Sequence, residues 1–575
     1  MLKLWKNLKP YKWALIFVII IIAVKSYADL LIPDLLKEVV NLIPTTYGVP
    51  APVADMIAKG AIALLAVFAV VIAEIVISYF SSHIAFNFGK DIRLKLYEKV
   101  QNLSQAELNK VGTASLITRT MNDINQVQQV TMIIIRMMIS APIMLVGGAL
   151  MAFQLDANIT LIILGALPIL IAMIGFVGFK IVPLYKKMQK QLDELTLVAK
   201  ENITGVRVIR AFNNEKIEEA KFDDKNKAVT ELATTANRYM SVTMPTVSFI
   251  FSVVTLLIIW LGAQGATDFA NINAIMQYSM RIMMSFIMLV MMFIFVPRAS
   301  ASATRINEVM ALESKIKNPT NAVKPGEDKK GLLEFKNVTF KFEGAEEPAI
   351  KNISFKSQAG KTTAIIGGTG SGKSTILNLL PRFYDVTEGA ILVDGVNIKD
   401  YDLNDLRNKI AIVPQKATLF NRTIKDNIKY GNEDASDEEV IEACKIAQAD
   451  DFITSEKGGY DYLIEKGGAN LSGGQKQRLS IARAIVKNPE IYLFDDCFSA
   501  LDLKTDSKLR KALKTKTTNA NVLIVAQRIS TIKDADQIMV LDEGNMVGVG
   551  THNELLTSCE AYKEIYNSQT KKEVK

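Results

Sequence analysis

Two kinds of hydrophobic pattern follow one another along this chain. In its first half, six stretches are apolar on every face for the roughly 20 residues that a helix needs to cross a bilayer. They run approximately from Trp13 to Ile32, Ala61 to Phe80, Val130 to Leu155, Ile159 to Phe179, Val247 to Ala266 and Ile275 to Val296. The first has no small-residue cleavage site and continues into Pro33, so it reads as a span and not as a removable signal. The connections after spans two and four are about 50 and 65 residues long, nearly free of proline, and keep helical apolar spacing. They predict membrane helices that run on past the bilayer as two antiparallel pairs, interrupted near their middles at Gly112 and Gly205. From Glu313 to Lys330 the chain turns polar, with Pro319, Pro325 and Gly326, which marks a linker. Short β-rich runs then alternate with helical ones, as in an α/β domain. The expected organisation is a membrane α-helical bundle over 1–312, a linker over 313–330 and an α/β domain over 331–575.

Composition agrees with a chain divided between lipid and water. Its 575 residues are 49% hydrophobic and 22% charged, with a mean hydropathy of +0.20, which argues against disorder and against a purely soluble fold. The net charge of +8 suits an anionic membrane leaflet as readily as nucleic acid. Cys444, Cys497 and Cys559 stand at no metal or disulfide spacing, as in a cytosolic domain. Basic residues set the orientation. Lys3, Lys6, Lys9 and Lys12 precede span one, and both long connections are rich in lysine and arginine, whereas Gln154 to Asn158 and Gln264 to Asn273 have none. Both termini are therefore expected in the cytoplasm of a multi-pass protein of the cell membrane.

Charges within spans are costly and usually face protein or water. Lys25 and Asp29 are one turn apart and can pair locally, while Glu74 and Arg281 have no local partner. Arg136 stands near the cytoplasmic boundary, where its side chain can snorkel. Span six carries many methionines, Met284 and Met288 among them, which suit either ordinary packing or a surface for varied apolar ligands. Lys25, Asp29, Glu74, Arg281, Met284 and Met288 are thus candidate cavity residues.

The most specific motif lies in the second half. The strand-like Thr363 to Ile366 runs into Gly367, Gly368, Thr369, Gly370, Ser371, Gly372, Lys373, Ser374 and Thr375, with a helical pattern after it. Glycines in such a loop let backbone N–H groups converge on phosphate oxygens, and the helix that follows points its positive end at them. Lys373 is expected to reach the β- and γ-phosphates of a nucleotide and the Ser374 hydroxyl to ligate Mg²⁺. Ile491 to Phe494 forms a second buried strand ending in Asp495 and Asp496, placed to hold Mg²⁺ directly or through water. Leu471, Ser472, Gly473, Gly474 and Gln475 open a helical run, and read either as a helix cap or as a further anion site.

Taken together, these motifs resemble the ATP-binding-cassette transporters, in particular exporter-type half-transporters with six spans fused to one cassette, and the resemblance covers essentially the whole chain. It implies a P-loop ATPase cassette for the α/β domain, with ATP and Mg²⁺ as its ligands and no nucleic-acid partner. It implies that Phe342 stacks on adenine in place of the usual tyrosine, that Gln415 contacts Mg²⁺, and that Asp502 belongs to the loop after the second strand. The turns near 112–120 and 212–216 resemble the family's coupling helices, and Leu471 to Gln475 the signature that completes a nucleotide site on a partner cassette. Two positions depart from the family pattern: the hydrolytic glutamate is replaced by Asp496 and the switch histidine by Gln527. A base one methylene short, and an amide without imidazole's charge, are expected to bind ATP well and cleave it slowly. With the signature intact, this resembles the degenerate-site subunit of heterodimeric bacterial multidrug exporters, whose partners are a second half-transporter, the lipid bilayer and small amphipathic substrates. A slow homodimer, a lipid floppase, an importer of the same architecture and a nucleotide-gated regulatory subunit remain alternatives.

Overall fold

The computed structural model describes residues 1–43, 52–265, 267–326 and 330–573. Ala266, the expected end of the fifth stretch, and Glu327 to Lys329 of the expected linker lie outside them. The chain divides into two compact units, 1–99 with 114–311, and 100–113 with 312–575.

The first unit is built on six long helices: α1 (Lys12–Val40), α2 (Val53–Gln101), α3 (Ile124–Leu155), α4 (Ala157–Thr204), α5 (Glu215–Gln264) and α6 (Phe269–Ala311). Each contains a window long and apolar enough to cross a membrane, and the water-soluble ends continue without a break because the apolar stripe persists where the fully apolar run stops. The short α3–α4 loop is capped by Asp156, whose Oδ1 accepts from the N–H groups of Asn158 (2.9 Å) and Ile159 (3.1 Å). At the other end, Asp123 accepts from Arg305 Nε at 2.8 Å and Arg119 pairs with Glu308 at 3.1 Å, tying the start of α3 to the end of α6.

Both long connections are broken at the glycines, Gly112 and Gly205. A short helix, Gln105–Val111, opens with a Ser104–Glu107 capping box and closes at Gly112, whose left-handed backbone separates it from the helical turns that follow. Its residues belong to the second unit. In the second connection Gly205 leads into a short helix, Val206–Ala211, and α5 begins at Glu215.

The second unit holds two sheets. Strands β1 (Leu333–Phe340), β2 (Ile350–Ser357), β4 (Glu388–Val393) and β5 (Val396–Asn397) form an antiparallel sheet in the order β2-β1-β4-β5. The larger sheet has the order β10-β9-β3-β8-β7-β6, from β3 (Thr362–Gly367), β6 (Ile410–Val413), β7 (Ile491–Asp495), β8 (Asn521–Val525), β9 (Gln537–Asp542) and β10 (Asn545–Gly550). Strands β9, β3, β8, β7 and β6 are mutually parallel. Their near-continuous apolar runs follow from burial on both faces. Helices α7 (Lys373–Leu379), α8 (Gly473–Lys487), α9 (Leu503–Lys516), α10 (His552–Ser558) and α11 (Glu560–Glu573) belong to this unit. All three cysteines are free and buried.

Candidate nucleotide site

In a parallel sheet, ligands bind beyond the carboxyl ends of the strands, and here four adjacent strands deliver the candidate residues to that edge. Strand β3 ends in the phosphate-type loop, β8 leads to Gln527, β7 ends in Asp495 and Asp496, and β6 leads to Gln415. The neighbours β3-β8-β7-β6 therefore place residues from four parts of the sequence side by side.

Close approach of neighbouring backbone requires glycine at two loop positions. A Cβ on Gly367 would meet the Leu541 carbonyl oxygen at 2.1 Å. Gly372 has φ of +93°, and a Cβ there would lie 2.6 Å from the Ala349 carbonyl oxygen. Gly368 and Gly370, by contrast, face open space, so the backbone is accessible to a ligand. Thr369 lies exposed between them, and Ser371 is buried beneath. Lys373 Nζ donates to the carbonyls of Gly367, at 2.9 Å, and Gly368. Burial draws this ammonium below its usual range, partly offset by Asp496 and Asp495 nearby. Such a poorly solvated cation on a flexible stem is well suited to an incoming phosphate.

Ser374 and Thr375 follow in the first turn of α7, and Ser374 Oγ donates to Asp495 Oδ1 at 2.9 Å. Asp496 is bound differently: Gln415 Nε2, at 3.2 Å, and Gln527 Nε2, at 2.9 Å, both donate to its Oδ2. Burial raises the carboxyls of Asp495 and Asp496 above the usual carboxylate range, against the hydrogen bonds that favour their charge. The donor set fits magnesium triphosphate: Ser374, Asp495 and the Gln415 amide offer hard oxygen ligands, and Lys373 offers a countercharge.

Phe342, just past β1, is 41% exposed and edge-on to Phe340 (centroids 4.8 Å apart) and Tyr384 (5.5 Å). Its free ring face is available for stacking. Tyr384 in turn accepts a 3.1 Å hydrogen bond from Asn109 of the short helix Gln105–Val111. Neither Tyr384 nor Asn109 stands out in the sequence, because nothing local predicts their meeting.

Leu471 to Gln475 realises the capping reading. Ser472 Oγ accepts from the Gln475 N–H at 3.3 Å, and the Gln475 side chain accepts from the Ser472 N–H at 2.8 Å. Leu471 is buried, Gly473 faces open space, and a Cβ on Gly474 would touch the Ala500 carbonyl at 3.2 Å. Asp502 caps α9, accepting from the Thr505 N–H at 2.9 Å.

In the helical unit the charged residues come together as one group. Lys25 pairs with Asp29 at 3.0 Å and Glu74 at 3.4 Å, and Arg281 reaches Asp29 at 3.1 Å. Glu74 and Arg281, unpaired by sequence spacing, thus find partners across helices. Arg136 is tied to the neighbouring helix: its guanidinium donates to the Ser78 carbonyl (2.9 Å) and the hydroxyls of Ser78 (2.7 Å) and Ser82 (3.2 Å). Met283 is fully buried, while Met284 and Met288 are exposed.

Six apolar helices joined to a phosphate-loop α/β unit in one chain define a membrane transporter powered by a nucleotide. Residues 15–298 match the ABC transporter transmembrane region family, and 350–499 match the ABC transporter family. An uncharacterized ABC transporter ATP-binding protein of Mycobacterium tuberculosis is 35% identical over 98% of this chain and 97% of its own length. A Staphylococcus aureus protein described as a proposed multidrug export ATP-binding/permease protein is 33% identical over 98% of each. The structure of a bacterial Atm1-family ABC exporter with ATP bound shares the fold, with a TM-score of 0.80, 24% identity and coverage of 97% of this chain and 99% of that one. The chain belongs to the ABC transporters: it is a multi-pass membrane half-transporter with its own cassette, an ATPase coupled to transport.

Proposed function

We propose that this chain is one subunit of a heterodimeric exporter of hydrophobic or amphipathic compounds, whose own nucleotide site holds ATP and cleaves it slowly. The observation that carries this reading is the state of Asp496. A general base must reach the attacking water, and this carboxylate is one methylene shorter than the family's glutamate while its Oδ2 accepts from two amides. A displacement of about 1 Å can lower a rate on the order of a hundredfold. Gln527 can donate to a terminal phosphate but carries no positive charge.

Phe342 stacks on the adenine, the loop from Gly367 to Thr375 holds the phosphates, and Lys373 bridges the outer two. Ser374, Asp495 and Gln415 would hold Mg²⁺, which supplies charge neutralisation for the triphosphate. Leu471 to Gln475 and Asp502 serve the site across the dimer, where a partner cassette provides glutamate and histidine. The short helices Gln105–Val111 and Val206–Ala211 act as coupling elements, and the lysine and arginine distribution puts both termini in the cytoplasm. The multidrug export named for the Staphylococcus aureus relative supports the substrate class. Lys25, Asp29, Glu74 and Arg281, with Met284 and Met288, line the path.

The test is ATPase activity of the full-length chain, alone and with a second half-transporter. The chain alone is expected to turn over slowly, and Asp496→Glu with Gln527→His to raise its rate about tenfold or more. Brisk turnover and drug efflux by the unaltered chain by itself would overturn the heterodimer. Stimulation by lipid and not by amphipathic drugs would make the cargo lipid.

A further inference from the structure

We propose that Gln569, on the C-terminal helix α11, is a positioning residue for the nucleotide site, fixing the backbone that carries Gln527. Its side chain makes two hydrogen bonds to that segment: Oε1 accepts from the Ile529 N–H at 2.9 Å, and Nε2 donates to the Gln527 carbonyl at 2.7 Å. A carboxamide with its acceptor and donor on residues two apart pairs with a backbone much as a neighbouring strand would. It does so where the sheet stops. Strand β8 ends at Val525, and the last sheet-like bond beyond it runs from the Ala526 N–H to the Ile365 carbonyl at 3.2 Å. The Ile529 N–H is the first of the short helix Ile529–Ile532, one of the donors that a helix cannot satisfy internally.

Helix α11 is itself anchored. Tyr562 is fully buried and its hydroxyl lies 2.7 Å from His552 Nδ1 of α10. A connected path therefore runs from a buried tyrosine through Gln569 to the Gln527 backbone, and from the Gln527 amide to Asp496. Without this clasp, Gln527 would stand on a segment with neither strand pairing nor a satisfied helix start. The consequence is a longer dwell of ATP at this chain's site, because Gln527 is held where it meets the terminal phosphate. This rests on the reading that Gln527 faces that phosphate.

The experiment uses the full-length chain in lipid nanodiscs, loaded with azido-ATP, chased with unlabelled ATP and irradiated at intervals to count the probe still bound, alongside amide hydrogen exchange of the 526–532 segment. Gln569→Leu removes both bonds, and Gln569→Glu keeps the acceptor and loses the donor. Gln569→Leu is expected to accelerate nucleotide release about tenfold, the loss of one to two net hydrogen bonds, and to expose the Ile529 N–H. Gln569→Glu should fall between. In a Gln527→Ala background, Gln569→Leu should change release no further. Unchanged release in Gln569→Leu, or an equal acceleration with and without the Gln527 side chain, would overturn the proposal. If Gln569→Leu does not fold, Gln569→Glu decides by the same comparison. Rapid turnover by the chain alone would sink the heterodimer reading, yet leave the coupling of Gln569 to Gln527 standing or falling on its own result.

Discussion

Asp496 combines two stresses on one residue. Its backbone is left-handed, with φ of +47°, a region that aspartate and asparagine enter more readily than longer side chains. Its carboxyl is raised above its ordinary value by burial, so the folded protein holds that proton more tightly than the unfolded chain does. Stability from this group is therefore present below the unfolded carboxyl pKa, about 3.9, and lost as pH rises through the elevated folded value. At neutral pH the ionised form costs stability. Asp496→Asn keeps the shape and tolerates the backbone, so we expect nucleotide-free Asp496→Asn to melt higher than the parent at pH 7, with the difference shrinking towards pH 4. Differential scanning of both proteins in chelator across that range checks this. The left-handed backbone also means that a glutamate here gains reach against some strain, about 1 kcal/mol. The carboxylates at Asp495 and Asp496 were legible as the end of a buried strand, and the places of Asp496 and Gln527 from the resemblance to the family's motifs. Their shared hydrogen bond, and Gln569 behind it, were not, because residues 496, 527 and 569 meet only once the sheet has formed.

Among the elements, the long helices were plain from hydropathy, since a run apolar on all faces has few other homes than lipid. Their turns were harder to place. Gly112 separates two helices, Gln105–Val111 and Thr113–Thr118, but the earlier break at the Ser104–Glu107 capping box carries no glycine to announce it. The intramembrane charges illustrate the same limit, since sequence spacing reveals only partners one turn away. Asp29 turns out to serve both Lys25 and Arg281. Asp29→Ala strands Arg281 and leaves Lys25 with Glu74 alone, and should destabilise the helical unit by ~3 kcal/mol, whereas Lys25→Ala leaves Asp29 with Arg281 and should cost less. Thermal unfolding in nanodiscs ranks the two, and an equal or reversed ranking would mean that Asp29 is not the hub.

At the scale of the whole molecule, the two units draw on different solvents for their stability. The helical unit leaves large apolar side chains outward, among them Phe68, Ile72, Phe179 and Trp260, as lipid contact demands. The cassette buries most of its apolar residues, and with them every thiol in the protein. Burial pushes the Cys444 thiol up to about 12 and the Cys497 thiol well above its usual range, and Cys559 is 5% exposed. Thiolate is the reactive form. The native transporter should accordingly take up no maleimide dye within minutes at neutral pH, and three equivalents after denaturation. One engineered cysteine at the exposed Lys216 then becomes the sole handle for a fluorophore or spin probe, without first stripping the natural sulfurs from the chain.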